Sequence, residues 1–148
     1  MTYKVSKVIN APIKYVYDWA TDYRSEDNLI TGSSWPKMIL FRSKKKAVYA
    51  SYKNGSDGKP KLAVRFVTLD PSSFSWHLDY FAEEDIEDGE YKLTKLAKEK
   101  TRLDIVLHNK WKKGRGPSQK EFEEHGKLVW EKYAKALEKD YDSGKLAS

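Results

Sequence analysis

The last third of the chain constrains the fold more than any other segment. Gly114-Arg115-Gly116-Pro117 is a breaker, and Ser118-Gln119-Lys120-Glu121 after it is a capping box. In that arrangement the Ser and Glu side chains each accept from the other residue's free backbone N–H. Phe122, Gly126, Val129, Trp130, Tyr133 and Leu137 then recur on one face at helical spacing. Glu123/Lys127 and Glu131/Lys135 occupy the opposite face, both in the favourable Glu-first order. The pattern predicts a helix of about 25 residues, roughly 37 Å long at ~1.5 Å per residue. A helix of that length crosses an entire sheet. Trp130, near the middle of the stripe, is its expected anchor, so Trp130→Ala is expected to leave a marginal or unfolded protein.

The rest of the chain supplies the sheet. Residues 3–9 alternate as an opening strand, ending at Asn10-Ala11-Pro12. Proline at a first helical position has no hydrogen bond to lose, so a helix is expected from Pro12. Val16, Trp19, Ala20 and Tyr23 continue it, with a second short helical piece over 23–30. Thr31-Gly32-Ser33-Ser34 and Pro36 end that region. Six strand candidates follow: Met38–Ser43, Ala47–Lys53, Leu62–Leu69, Phe74–Phe81, Glu90–Leu96 and Thr101–Trp111. The connections are Lys44-Lys45-Lys46, the Gly-rich turn 54–58, Asp70-Pro71-Ser72-Ser73, a loop ending in Asp88-Gly89, and Lys98-Glu99-Lys100. Consecutive strands on short connections predict an antiparallel meander. The fold class is α+β, with the helices on one face of a seven-stranded sheet, and residues 1–148 read as one domain.

Composition narrows the function classes. The 148 residues are 39% hydrophobic and 34% charged, with no stretch apolar enough for a spanning helix. Cysteine is absent, which removes disulfides, thiolate catalysis and cysteine-based metal sites. The start, Met1-Thr2-Tyr3-Lys4, lacks a signal pattern, so a cytoplasmic location is expected. No phosphate loop, dinucleotide fingerprint, Gly-x-Ser-x-Gly or His-Glu-x-x-His string occurs, and neither cofactor nor metal is expected. His77, His108 and His125 have no metal-ligand spacing, and His125 reads as a rim residue. The net charge of +6 directs attention to Lys44–Lys46 and to the segment Lys110-Trp111-Lys112-Lys113-Gly114-Arg115. Acidic residues follow at once, so a solvated edge is expected there, with no nucleic-acid partner and no stable membrane insertion. Glu83-Glu84-Asp85 and Glu87-Asp88 read as a solvated charge run in a loop.

The element order and two strings resemble the START-like superfamily of helix-grip domains, also called SRPBCC or polyketide-cyclase/lipid-transport-like. The first string is Ile9-Asn10-Ala11-Pro12-Ile13-Lys14-Tyr15-Val16-Tyr17-Asp18-Trp19 with Asp22; the second is Gly89-Glu90-Tyr91-Lys92-Leu93 followed by Thr101-Arg102-Leu103. Lys14 stands where relatives often carry an acid, which alters surface charge only. The resemblance covers nearly the whole chain and implies a helix-grip fold, a curved sheet wrapped around the long helix. Relatives include lipid and hormone carriers, polyketide cyclases, oxygenase domains and a chaperone-activating domain, so fold does not decide function.

A sheet gripping a helix leaves space that is either filled by its own aromatics or open to a ligand. The expected lining is Leu62, Val64 and Phe66; Phe74, Trp76, Leu78 and Tyr80; Leu103, Ile105 and Leu107; and Val129, Trp130 and Tyr133 on the helix. Tyr49, Tyr80 and Tyr133 carry phenols that need partners when buried. Gly126 either makes room for a ligand or packs the helix close on the sheet. The expected ligand-binding set is Tyr49, Val64, Phe66, Trp76, Leu78, Tyr80, Ile105, Leu107, Gly126, Val129, Trp130 and Tyr133. The expected function is binding or transport of a small hydrophobic, lipid- or polyketide-like molecule. The alternatives are a polyketide-cyclase-like enzyme, with Tyr80, Tyr133 or His125 steering a proton, and a protein-interaction module of the chaperone-activator type.

Overall fold

A computed structural model describes residues 1–32, 35–112 and 116–148. The predicted breaker residues Ser33, Ser34, Gly114 and Arg115, and the basic Lys113, lie outside the described residues. Strands β1 (Thr2–Ile9), β2 (Met38–Arg42), β3 (Lys46–Asn54), β4 (Pro60–Asp70), β5 (Ser75–Ala82), β6 (Asp85–Ala97) and β7 (Lys100–Trp111) form one antiparallel sheet. Its order is β1-β7-β6-β5-β4-β3-β2, a six-strand meander with the first strand added beside the last. Helix α1 (Ile13–Ala20), a 3-10 turn (Ser25–Asp27) and α2 (Asn28–Thr31) connect β1 to β2, and α3 (Gln119–Asp142) follows β7. This is the helix-grip arrangement. Among the described residues no helix is long and apolar enough to cross a membrane.

Helix α3 begins as its sequence requires. Ser118 Oγ accepts from the Glu121 amide at 3.2 Å, and the Glu121 carboxylate accepts from the Ser118 amide at 3.3 Å. At α1 the expected start shifts by one residue. Pro12 is extended (ψ 146°) and serves as N-cap, its carbonyl accepting from the Val16 amide.

The anchor of α3 also differs from expectation. Leu137 and Ala134 are its buried residues, whereas Trp130 is only half-buried. The C-terminal half of the helix is pinned further by Trp19 Nε1 donating to Asp140 Oδ2 at 2.9 Å and the Asn10 amide donating to Glu138 at 2.6 Å. The N-terminal half instead spans open space over the sheet and touches it closely at Gly126. A Cβ added there would lie 2.4 Å from the Tyr3 hydroxyl oxygen and 2.6 Å from its ring, and Tyr3 is fully buried. Ala ordinarily gains about 1 kcal/mol over Gly inside a helix. Gly126→Ala is nevertheless expected to lower the melting temperature, and an increase would show that the helix has freedom to lift.

Two strands depart from the sequence reading. On β4 the inward residues are Ala63, Arg65, Val67 and Leu69, not Leu62, Val64 and Phe66. Both faces of β4 are largely apolar, so alternation alone does not choose between them. Register chooses: Val67 pairs Leu78, and Arg65 pairs Tyr49 and Tyr80. Leu62 and Phe66 therefore lie about half exposed on the convex face, where the Phe66 ring meets Phe81 edge-on. Strand β6 begins at Asp85 rather than Glu90. The expected solvated acidic loop is thus mostly strand, paired on both sides, with Asp85 buried.

Candidate functional site

Cross-strand register arranges the concave face in rows. One row runs Tyr49, Arg65, Tyr80, Glu87, Asn109 across β3 to β7. The next runs Val67, Leu78, Gly89, Leu107, Tyr3, and a third carries Leu69, Trp76, Tyr91, Ile105. At the other end Asp85 stands opposite Trp111. These rows and the overhanging half of α3 enclose a cavity of about 710 Å³. Gly89 keeps the middle of the floor low, because a Cβ there would meet Leu107 at 2.7 Å and Tyr91 at 2.8 Å.

The wall toward α1 and α3 is aromatic. Trp76 stacks on Tyr91 with ring centres 5.0 Å apart and 8° between planes. Trp130 tilts over Tyr91 at 6.2 Å and Tyr133 at 5.4 Å, and Trp19 meets Tyr133 edge-on. The opposite end is polar. Lys53 Nζ pairs with Asp85 Oδ1 at 2.8 Å and lies over the Tyr80 and Trp111 rings. Asn109 Nδ2 donates to Glu87 at 3.1 Å and to Asp85 at 3.4 Å. Arg65 donates to Ser51 Oγ at 2.8 Å, its guanidinium 5.3 Å from the Tyr49 ring centre and 4.9 Å from that of Tyr80. Lys37 pairs with Asp27 at 3.0 Å at the α2 side.

Burial governs the proton affinities. It pushes the Glu87 carboxyl above the usual range, opposed by the Asn109 hydrogen bond, reinforced by Asp85 and relieved by Arg65 and Lys53. It pushes the Tyr133 phenol up to about 12, with Asp27 adding to the effect, and it raises Tyr49 and Tyr91 further. Lys53 is raised despite its burial, because Asp85 and Tyr80 hold it as an ammonium. Four buried polar atoms of lining residues, the Tyr3 and Tyr23 hydroxyls, Asn109 Oδ1 and Trp111 Nε1, have no hydrogen-bond partner among the described residues. Buried polar atoms are ordinarily paired; these four are shielded by packing, the Tyr3 hydroxyl beneath Gly126 and Trp111 Nε1 against Gly116.

Because folded Glu87 holds its proton more tightly than the unfolded chain does, it detracts from stability as pH rises through its folded value. Glu87→Gln preserves an acceptor for Asn109 and removes that titration. The variant is expected to melt higher than wild type near about pH 8 and equally near about pH 3, below the free glutamate value of ~4.3. Equal melting at both would place the carboxyl in a water-like setting.

Of the residues chosen from sequence, Tyr49, Trp76, Leu78, Tyr80, Leu107, Gly126, Val129, Trp130 and Tyr133 line this cavity. Val64 and Phe66 belong to the convex side because of the β4 register, and Ile105 is packed in the core off the lining. His125 is exposed at the cavity rim. The polar end went unrecognised: Lys37, Lys53, Arg65, Asp85, Glu87 and Asn109 all face the cavity. Extending β6 back through Gly89 was the available signal, since Asp85, Glu87, Gly89 and Tyr91 share one parity. Trp111 turns into the cavity rather than outward among the basic residues of its segment. His77 lies on the outer side, between Glu90 and Asp79.

No protein-family model and no curated protein matches the chain. Solved structures do match over nearly its full length. The Zhui aromatase/cyclase from Streptomyces sp. R1128 superposes with a TM-score of 0.70 at 15% identity, covering 96% of this chain and 93% of that one. A START superfamily protein from Mycobacterium smegmatis gives 0.71 at 13% identity, covering 96% and 97%. Ara h 8.0201 gives 0.70 at 11% identity, covering 93% and 97%. The fold is START/SRPBCC-like.

Proposed function

We propose that residues 1–148 form one domain, and that it binds a small planar molecule with a largely apolar body and hydroxyl or carbonyl groups at one end. The observation that carries the reading is the two-ended cavity. Its volume of about 710 Å³ lies within the ~300–1,000 Å³ of ligand pockets. Stacked rings line one end, and paired charges line the other. Lys37, Lys53 and Arg65 are met by Asp27, Asp85, Glu87 and Glu121, so the lining carries no excess of cations that would call for an anionic ligand. The Arg65 guanidinium, which faces the cavity, offers donors to a ligand's oxygens. The fold's occurrence among START superfamily and aromatase/cyclase structures supports the same reading.

Calorimetry with two bicyclic probes tests it. β-Naphthol is expected to bind with unit stoichiometry and more tightly than naphthalene, which lacks the oxygen. A hydrogen bond to a charged group contributes about 1.5–3 kcal/mol, roughly tenfold or more in Kd, and Arg65→Met should erase the preference. No binding of either probe would overturn the proposal. A cyclase-like reaction on the same ligand is the second reading, favoured by the buried Glu87 carboxyl at the polar end. Turnover lost in Glu87→Gln with binding retained would establish it.

A further inference from the structure

Lys37 differs from the other cations of the cavity. Its Nζ lies 3.0 Å from Asp27 Oδ2 and sits among three phenol rings, 5.6 Å from the centre of Tyr23, 5.5 Å from Tyr49 and 5.8 Å from Tyr133. These groups come from the segment before the 3-10 turn, from β3 and from α3, so the amine is enclosed on several sides. Lys53 is tied to Asp85 and held as an ammonium. Lys37 is shifted the other way. Burial lowers its proton affinity, the Asp27 charge and hydrogen bond oppose this, Arg65 adds to the lowering, and Asp22 opposes it weakly. An amine desolvated in an apolar pocket is the form in which lysine attacks carbonyl carbon. The three rings limit the access of water to the amine, and the Asp27 carboxylate is placed to move a proton.

We infer that Lys37 captures an aldehyde or ketone in the cavity as an imine, an activity that rests on the ligand-binding reading of the same space. Asp27 first takes one proton from the Lys37 ammonium, and the freed Nζ lone pair forms a C–N bond to the carbonyl carbon while the C=O π pair moves to oxygen. One Nζ proton passes to that oxygen through the Asp27 carboxylate, giving a neutral carbinolamine. The second Nζ proton leaves with the hydroxyl as water, and the C=N bond closes. Nothing is oxidised or reduced, and water reverses each step. The Tyr49 and Tyr133 ring centres lie 5.5 and 5.8 Å from Nζ, so an aryl aldehyde is the substrate class that fits.

The test uses β-naphthaldehyde with cyanoborohydride, which reduces an imine to a stable secondary amine, followed by peptide mapping. The expected result is one adduct per chain on the peptide containing Lys37, formed well before labelling of exposed lysines. Lys37→Arg keeps a cation for Asp27 and should abolish that early adduct. Early label spread over surface lysines, label on Lys53 in place of Lys37, or the same early label in Lys37→Arg would overturn the inference. β-Naphthol binding to the wild type separates the two claims. If β-naphthol binds and no Lys37 adduct forms, the imine falls and the ligand-binding reading stands. If β-naphthol does not bind, both fall.

Discussion

Leu137→Ala is expected to destabilise the protein by about 2–5 kcal/mol, the range for truncating a buried leucine. Leu137 is 0% exposed and sits where α3 is locked to the core, beside Ala134 and close to the Asp140–Trp19 hydrogen bond. Against a total stability of roughly 5–15 kcal/mol, that loss leaves a marginal fold. Trp130→Ala should have the smaller effect, although Trp is the larger residue. Its ring is half-buried over a cavity, so truncation removes fewer packed contacts and leaves a wider opening. Urea melts of the two variants decide the order. If Trp130→Ala were the more damaging, the helix would be anchored in its middle and the open space beneath it would not exist.

Trp76→Ala is the second large effect, expected at about 3–5 kcal/mol. Trp76 is 4% exposed, stacked on Tyr91 and met edge-on by Tyr17 at 5.8 Å. Its indole therefore joins the floor under α1 to the aromatic wall of the cavity. Trp76→Phe keeps a ring in the stack and should recover most of the loss. A Trp76→Ala protein with wild-type midpoint would mean that the stack contributes nothing to folding.

The elements that were legible in the sequence are those in which local chemistry and tertiary contact agree. The capping box, the helical stripe and the Asn-Gly-rich turn each specify their structure within a few residues. Strands β5 and β7 were assigned to the correct face because only one side of each is strongly apolar. Strand β4 is apolar on both sides, and its phase is set by pairing with Tyr49 and Tyr80, partners distant in sequence. The polar end of the cavity was hidden for a related reason. Asp, Glu and Gly disfavour strands, so Asp85 to Gly89 reads as a loop. Hydrogen-bonded pairing on both sides, with Lys53 and Asn109 receiving the carboxylates, overrides that preference. Trp130 was overvalued because size in the middle of a stripe is visible in sequence, whereas the space beneath it is not.

The five tryptophans provide the most direct measurement of whether the cavity holds a ligand. Trp19, Trp76, Trp111 and Trp130 line it, and Trp35 does not. In a nitrogen–proton correlation spectrum each indole N–H gives its own signal. Titration with β-naphthol should move the Trp76, Trp111 and Trp130 signals together along one saturable curve. The largest shifts are expected at Trp76 and Trp130, whose rings form the aromatic wall, and Trp35 should stay in place. Signals that do not move, or that move at Trp35 and along the convex strand residues while the cavity tryptophans stay fixed, would contradict a ligand site between the sheet and α3.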